Sequence, residues 1–411
     1  MVYEKKVIKC DTIEEYADIL RSFIGKYYVN EWAGYFGGPN YPQPVVCMNT
    51  RITRDTIKRL VDAVGDTNPL FRDPEYAKKT KYGGIIAPPN WTFSITYGVY
   101  PEFATPDYSS LYVGDRLTWY LPACPGDKID YKSSWPTNIE VKETKTGGQT
   151  VFCDGVHEFQ RHQGGVPLVR HEYTTCYIPM QTSKYSSIQS GGDKKEFTQE
   201  YIDKVFAAQD AEKAWGSTPH YFEDVAIGET LTPIVRGPFS VSESHIWTNA
   251  AGQYYFSSDR LHRMVHEQTG WGFYQPEMKI WMNLHENSFD DWGGTRKHCG
   301  SYVPGGFGSQ RASWVMLMLN NFASDEGFLW KLNLQHRRKG GFHNVFWVTG
   351  VVTDKHVENK RCWVDIDVRI EDQTGAMLLK GDAKVILPSK EFGPISYPSP
   401  DRAFEKFFVK E

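Results

Sequence analysis

Hydrophobic and polar positions alternate along this chain in two rounds of a similar pattern. Between Thr12 and Gly25, Ile13, Tyr16, Ala17 and Leu20 form one stripe at helical spacing, and a glycine closes the run. A Pro/Gly-rich passage, GYFGGPNYPQP, separates it from a second helix begun by Thr53, where Ile57, Leu60, Val61 and Val64 recur at i, i+3, i+4 and i+7. Asp73 before Pro74 reads as an N-cap with proline in the first helical position, and Gly83-Gly84 stops that short helix. WTFSITYG is predicted as a further helix. From Leu117 the pattern changes to alternation: LTWYLP, KIDYKSSW, then a meander broken by turns at Gly147-Gly148 and Gly164-Gly165.

The polar stretch TSKYSSIQSGGDKKE reads as a linker, after which the plan repeats. A helix is predicted over FTQEYIDKVFAAQDAEKAW, another from Ser242, and another around Trp314 to Asn321. The final strands are NVFWVTGVVTDKHV, then CWVDIDVRIED with Val364, Ile366, Val368 and Ile370 on one face, then AMLLKGDAKVILP, with a turn from Asp372 to Gly375. Helices followed by antiparallel strands, twice over, predict an α+β fold built from two copies of one unit.

Composition narrows the partners. With 411 residues, 40% hydrophobic and 15% aromatic, the chain has apolar mass for two cores. A net charge of -4 with interspersed signs gives no footprint for nucleic acid or an anionic membrane, so a small-molecule partner is expected. No apolar run approaches the roughly 18 residues of a membrane span. Seven cysteines without a C-x-x-C pair argue against a disulfide framework or a zinc site, and a soluble protein of the reducing cytoplasm is expected.

Certain stretches resemble a known family. VGDTNPLFRDPEYAKKTKYGGIIAPP, CPGDKID and GGQTVFCDGVHEF look like the amino-terminal hot-dog of MaoC-like dehydratases, the (R)-specific enoyl-CoA hydratase group. FEDVAIGETL, VRGPFSVSESHIW, CGSYVPGGFGSQRASW and DEGFLWKLNLQHRR resemble the carboxyl-terminal one. The resemblance implies a double hot-dog, each half a long helix wrapped by an antiparallel sheet. It divides the chain into a first domain at 1–181, a linker and helix at 182–214, and a second domain at 215–411 with an insertion at about 253–280. The implied activity is hydration of an enoyl thioester or dehydration of a 3-hydroxyacyl thioester, carried on CoA or an acyl-carrier protein, with no cofactor. A homodimer or higher oligomer is expected. Because the fold also hosts other chemistry, an acyl thioesterase and a non-catalytic acyl-thioester-binding subunit remain as alternatives.

Such hydration needs a base for water, an acid for the α-carbon, and donors facing the thioester oxygen. The family motif G-D-x-N-P-x-H is matched at Gly65, Asp66, Asn68 and Pro69, but Phe71 stands in the histidine position. Phenylalanine cannot move a proton, so the first half reads as a pseudo-site, with Asp66 and Asn68 either facing substrate or capping their own turn. Catalysis is then expected in the second half.

Two histidines compete there. FSSDRLHRM offers Asp259 and His262 and resembles a variant motif, F-N-x-H-R-I-H; WMNLHENSFDDWGG offers His285. Phe71 lies 13 residues before Gly84, and His285 lies 15 before Gly300, against 38 for His262, which favours His285. Its acid is unassigned, because Ile280 and Asn287 occupy the motif positions; Glu286, Asp259, Asp290 and Asp291 are candidates by proximity. Tyr302, Gly308 and Arg311 match a tail motif that would meet the substrate, and Gly306 or Gly308 would offer an N–H to the thioester oxygen. Trp281 would wall the acyl pocket, and Arg337, Arg338 and Lys339 could meet a phosphate of CoA or form a plain surface run.

Overall fold

In a computed structural model of the chain, the structure describes residues 10–29, 45–47, 49–99, 108–145, 147–179, 196–252, 273–275, 280–282, 307–338, 340–341, 343–400 and 404. Helix α1, Ile13–Arg21, starts at a capping box in which Thr12 and Glu15 satisfy each other's backbone N–H, and it buries the stripe Ile13, Tyr16, Ala17 and Leu20. Strands β1 (Tyr27–Val29) and β2 (Val45–Cys47) follow. Helix α2, Arg54–Val64, is capped by Thr53 and ends where Gly65 turns left-handed at φ 68°. Two one-turn helices come next, α3 (Pro69–Arg72) and α4 (Pro74–Ala77), each with proline in its first turn.

The helix expected over WTFSITYG is not formed as such. Pro89–Ser94 is a 3-10 turn and Thr96–Val99 is strand β3. Thr92, Ile95 and Thr96 are β-branched, which disfavours continuing the helix, and Tyr97 and Val99 also suit an extended chain.

Strands β4 (Tyr108–Trp119), β5 (Ile129–Thr144), β6 (Gly148–Arg161) and β7 (Val166–Pro179) form the meander of the first half, β4 beginning nine residues before the expected Leu117. The second half repeats it. After α5 (Gln199–Asp210), β8 (Ile234–Arg236) and α6 (Val241–Ala250) come the short pair β9 (Phe273–Gln275) and β10 (Ile280–Met282). Helix α7 (Gly308–Ala323) precedes β11 (Phe328–His336), β12 (Phe346–Glu358), β13 (Arg361–Asp372) and β14 (Met377–Leu387).

One ten-stranded sheet joins the halves, in the order β1-β5-β6-β7-β4-β11-β14-β13-β12-β8. Outward from the seam, β4, β7, β6 and β5 on one side are mirrored by β11, β14, β13 and β12 on the other, as two copies of one meander would pair. At the seam β4 and β11 run antiparallel, with Lys331 opposite Thr118 and Gln335 opposite Gly114. The helix at the heart of the second half, α7, packs on β8, β11, β12 and β14 and on the 3-10 turn of the first half. It buries nearly every side chain, from Gln310 and Arg311 in its first turn through Trp314, Met316 and Leu319 to Ala323, and is mostly apolar beyond that turn. The long central helix of the second half thus has a shortened counterpart in the first. No helix among the described residues is long and apolar enough to cross a membrane.

Candidate active site

Strand alternation explains how a group of polar side chains comes to lie inside this core. On β4, Asp115, Leu117 and Trp119 point inward; on β7, Val169, His171 and Tyr173; on β11, Leu332, Leu334 and His336. Asp115 pairs with Tyr173 on one side and Leu334 on the other, which makes His171 and His336 its diagonal neighbours. Residues 112 and 115 of a regular strand would face opposite ways. A bulge between Tyr112 and Gly114 inserts one residue against β7 and reverses that parity, so the Tyr112 phenol joins Asp115 on the inner face.

The result is a carboxylate held by three donors. His171 Nε2 donates to Asp115 Oδ1 at 2.8 Å, His336 Nε2 donates to Oδ2 at 2.9 Å, and the Tyr112 hydroxyl donates to Oδ1. The same phenol lies 3.1 Å from His171 Nε2, and its ring centroid is 5.6 Å from that of His336. Asp115 is fully buried. Burial opposes its ionisation, but the hydrogen bonds and charge of His171 and His336 outweigh that and hold its carboxyl well below the usual range. Burial lowers the His336 imidazole, with Asp115 only partly restoring it and Arg311 lowering it further. Arg311, on the first turn of α7, is itself buried; desolvation brings its guanidinium down to about 10 although Asp115 supports its charge.

Behind His171 lies a third imidazole, His157, bonded through Nδ1 to the Ser133 hydroxyl and stacked on Tyr173 at 4.6 Å. Burial, and then His171, keep it well below its ordinary value. The two imidazoles on Asp115 aim their Nε2 atoms at the carboxylate, which leaves no lone pairs converging on a common ion. Among the described residues no cluster of His, Cys, Asp or Glu is arranged to hold a metal.

Above this group sits the start of α7. Its N-cap is Phe307, which makes no side-chain cap, and no acidic residue occupies the first turn. The amides of Gly308, Ser309 and Gln310 precede the first intrahelical bond, from Arg311 N–H to the Phe307 carbonyl, so they face out of the helix as donors. Gly308 rests on the group below: a Cβ there would meet Tyr112 Cδ1 at 3.1 Å and His336 Cε1 at 3.4 Å.

The structure therefore brings together Gly308 and Arg311 of the expected residues. Asp259, His262, His285, Glu286, Asp290, Asp291, Tyr302 and Gly306 lie outside the described residues. Trp281 lies on β10 opposite Tyr274. Arg337 and Arg338 are exposed at the end of β11, beside the buried His336, and Lys339 is outside the described residues.

At Asp66 and Asn68 the polar atoms are engaged by their own turn. Asn68 N–H donates to Asp66 Oδ1 at 2.8 Å and Leu70 N–H donates to Asn68 Oδ1 at 3.0 Å. Burial raises the Asp66 carboxyl to about 6, against the pull of the Asn68 N–H and the charge of Arg72. Arg236, from the other half of the chain, donates from Nε to the Val64 carbonyl at 3.0 Å and from Nη2 to that of Gly65 at 3.4 Å, closing the end of α2. Phe71 is 3% exposed and, with Leu70, Tyr82, Trp91, Trp119 and Phe328, lines a cleft of about 40 Å³.

Tyr112, Asp115, His171 and His336 were not singled out by the sequence reading. A signal was present: each of Asp115, His171 and His336 stands in phase with apolar neighbours two residues away on a strand, where a polar side chain must be buried. QHRRKGG drew attention to its arginines rather than to the histidine that the alternation turns inward.

Comparison with known proteins bears on the fold that carries this group. Residues 45–168 match a family described as FAS1-like, dehydratase domain region. A UPF0336 protein of Streptomyces avermitilis is 33% identical over 114 residues, covering 26% of this chain and 73% of that protein. Another from Streptomyces griseus is 32% identical over 130 residues, covering 30% and 82%. Among solved structures, a MaoC-like dehydratase superposes with a TM-score of 0.55 at 12% identity, covering 89% of this chain and 99% of that one. A putative MaoC domain dehydratase from Chloroflexus aurantiacus gives 0.51 at 10% identity over 87% and 98%. A conserved hypothetical protein of Mycobacterium tuberculosis, described as a double hotdog, gives 0.50 at 11% identity over 89% and 97%. At such identities the likeness is one of fold, and the fold is the double hot-dog.

Proposed function

The chain belongs to the family of the UPF0336 proteins, carries a FAS1-like dehydratase region and has the double hot-dog fold of MaoC-like dehydratases, and from that premise we propose that it adds water to an enoyl thioester or removes it from a 3-hydroxyacyl thioester. The observation that carries this reading is the uncapped head of α7, whose donor amides stand over a buried acid–imidazole group at the seam of the two halves. Donors so placed stabilise negative charge on a thioester oxygen as the enolate forms, and a water-excluded surrounding increases their effect. The acyl carrier is CoA or an acyl-carrier protein, and the working form is a homodimer. The reaction is redox-neutral: hydration consumes the enoyl thioester and one water, and dehydration returns both.

The proton-transferring imidazole comes from the stretch between Gly252 and Phe307. Counting back from the glycines before α7 favours His285. Counting forward favours His262: α2 and α6 are both capping-box helices that pack on each other, and each is followed by a positive-φ glycine, Gly65 and Gly252. Phe71 lies six residues beyond Gly65, and His262 lies ten beyond Gly252, with Asp259 between. We assign the role to His262 with Asp259 as the accompanying carboxylate, because FSSDRLHRM also carries the motif resemblance. His262→Ala is expected to lower turnover of an enoyl-CoA, followed by loss of its conjugated absorbance, by at least about a hundredfold. His285→Ala is expected to remain within a few-fold. The reverse outcome moves the role to His285 and Glu286. Release of free thiol without hydration would instead make the protein a thioesterase, and turnover by neither route a binding subunit.

A further inference from the structure

The His336 ring has one atom that the rest of the cluster does not use. Its Nε2 is committed to Asp115 Oδ2, and because a carboxylate only accepts, Nε2 carries the proton. In the neutral ring Nδ1 is then a bare lone pair. Among the described residues that atom has no hydrogen-bond partner, although the side chain is only 3% exposed. It lies on the ring edge facing Gly308, 3.6 Å from where a Cβ at that residue would stand. Burial, the largest influence on this imidazole, lowers it against the pull of Asp115 and so favours the neutral form that the lone pair requires.

We infer that the His336 Nδ1 lone pair and the free amides at the head of α7 form one two-point site that selects a β-hydroxy thioester by its hydroxyl. The argument is one of complementarity. The amides of Gly308, Ser309 and Gln310 can only donate, so they match an acceptor, the thioester carbonyl. Nδ1 can only accept, so it matches a donor. A 3-hydroxyacyl thioester carries both, its hydroxyl two carbons from the carbonyl; an enoyl thioester with one water supplies the same pair in the other direction. A saturated acyl thioester satisfies the amides but leaves the imidazole as unmet as before, and so forgoes the hydrogen bond that a hydroxyl would add. Asp115 is a positioning residue here: it fixes the tautomer that exposes the lone pair. Tyr112 and His171 fix Asp115 in turn, and Arg311 balances its charge.

This inference rests on the thioester reading, and the test separates the two. Binding of 3-hydroxyoctanoyl-CoA and octanoyl-CoA to the full chain is measured by calorimetry for the native protein and for His336→Phe, which keeps a ring beneath Gly308 but has no acceptor. The native protein is expected to prefer the hydroxylated ligand about tenfold, the worth of one hydrogen bond of about 1.4 kcal/mol. His336→Phe is expected to lose that preference while holding octanoyl-CoA within about threefold of native. Equal binding of both ligands by the native protein, or a preference that survives His336→Phe, overturns the inference alone. Failure of the native protein to bind either ligand overturns the thioester reading and the inference with it. Should His336→Phe not fold, ¹⁵N NMR of the native protein decides. An unprotonated Nδ1 whose resonance moves with the hydroxylated ligand and not with octanoyl-CoA supports the site; a protonated Nδ1, or one indifferent to both, removes it.

Discussion

The turn at Gly65–Asp73 and the head of α7 carry polar side chains of much the same kind and use them in opposite ways. In the turn, Asp66, Asn68 and Asp73 are near neighbours in sequence, and each accepts from a backbone N–H two or three residues on. Their hydrogen bonds are local, and Phe71 fills the place of a proton carrier with apolar bulk. At the head of α7 the partners come from β4, β7, β11 and the helix itself, and Asp115 and His336 are 221 residues apart. There a chain of donors ends on an unoccupied lone pair. Short-range polar pairing consumes hydrogen-bonding capacity in holding a turn, whereas long-range assembly can hold a group in place and leave one atom available for a ligand.

The largest expected effect that could break this contrast is on stability. Asp115→Ala removes the acceptor shared by His171, His336 and Tyr112 and leaves Arg311 buried without the carboxylate that supports it. A loss of about 3–5 kcal/mol is expected in urea unfolding. A loss below about 1 kcal/mol would mean the group is not held as a unit.

Phe71→His asks whether the turn can be returned to chemistry. A polar ring in that apolar cleft is expected to cost about 2–4 kcal/mol in the same measurement and to leave enoyl-CoA turnover no higher. A gain in turnover would show that the first half lacks only its histidine.

Asp66 gives a pH-dependent test of intermediate size. Its carboxyl protonates at about 6 in the folded chain against an ordinary value of 3.8. As pH rises through that window the unfolded chain ionises first, so this residue lowers native stability progressively and most fully above about pH 6. Asp66→Asn escapes the penalty. Relative to the native protein, it is expected to gain about 1–3 kcal/mol at pH 8 and to lose that gain by pH 3.5. A difference that does not change with pH would remove buried ionisation as its cause.

Asn68→Ala sharpens the comparison least but most cleanly. The loss of one cap to Leu70 N–H is expected to cost about 1 kcal/mol and, if the turn is structural alone, to leave ligand affinity unchanged. A large change in affinity would bring the turn into the site.

Much of this architecture could be read from the chain. Thr53 and Gly65 bound α2, Thr12 caps α1, and the alternation of Val364, Ile366, Val368 and Ile370 marks β13, because caps and periodicity act over a few residues and appear as spacing. WTFSITYG is the exception, because β-branched residues and a preceding proline pair disfavour the helix that its apolar content suggests.

The sequence by itself determined most of the elements, their repetition, and the placing of Phe71, a side chain that cannot move a proton, in its turn, since each depends on residue type and near neighbours. Only the tertiary structure decided that Asp115, His171, His336 and Tyr112 would meet beneath Gly308. That meeting depends on a one-residue bulge in β4, on the register of β4 against β7 and on its register against β11 from the other half. A shift of one position in either register would turn the partner residue to the opposite face of the sheet, and pairing energies over such distances leave no periodic trace in the chain.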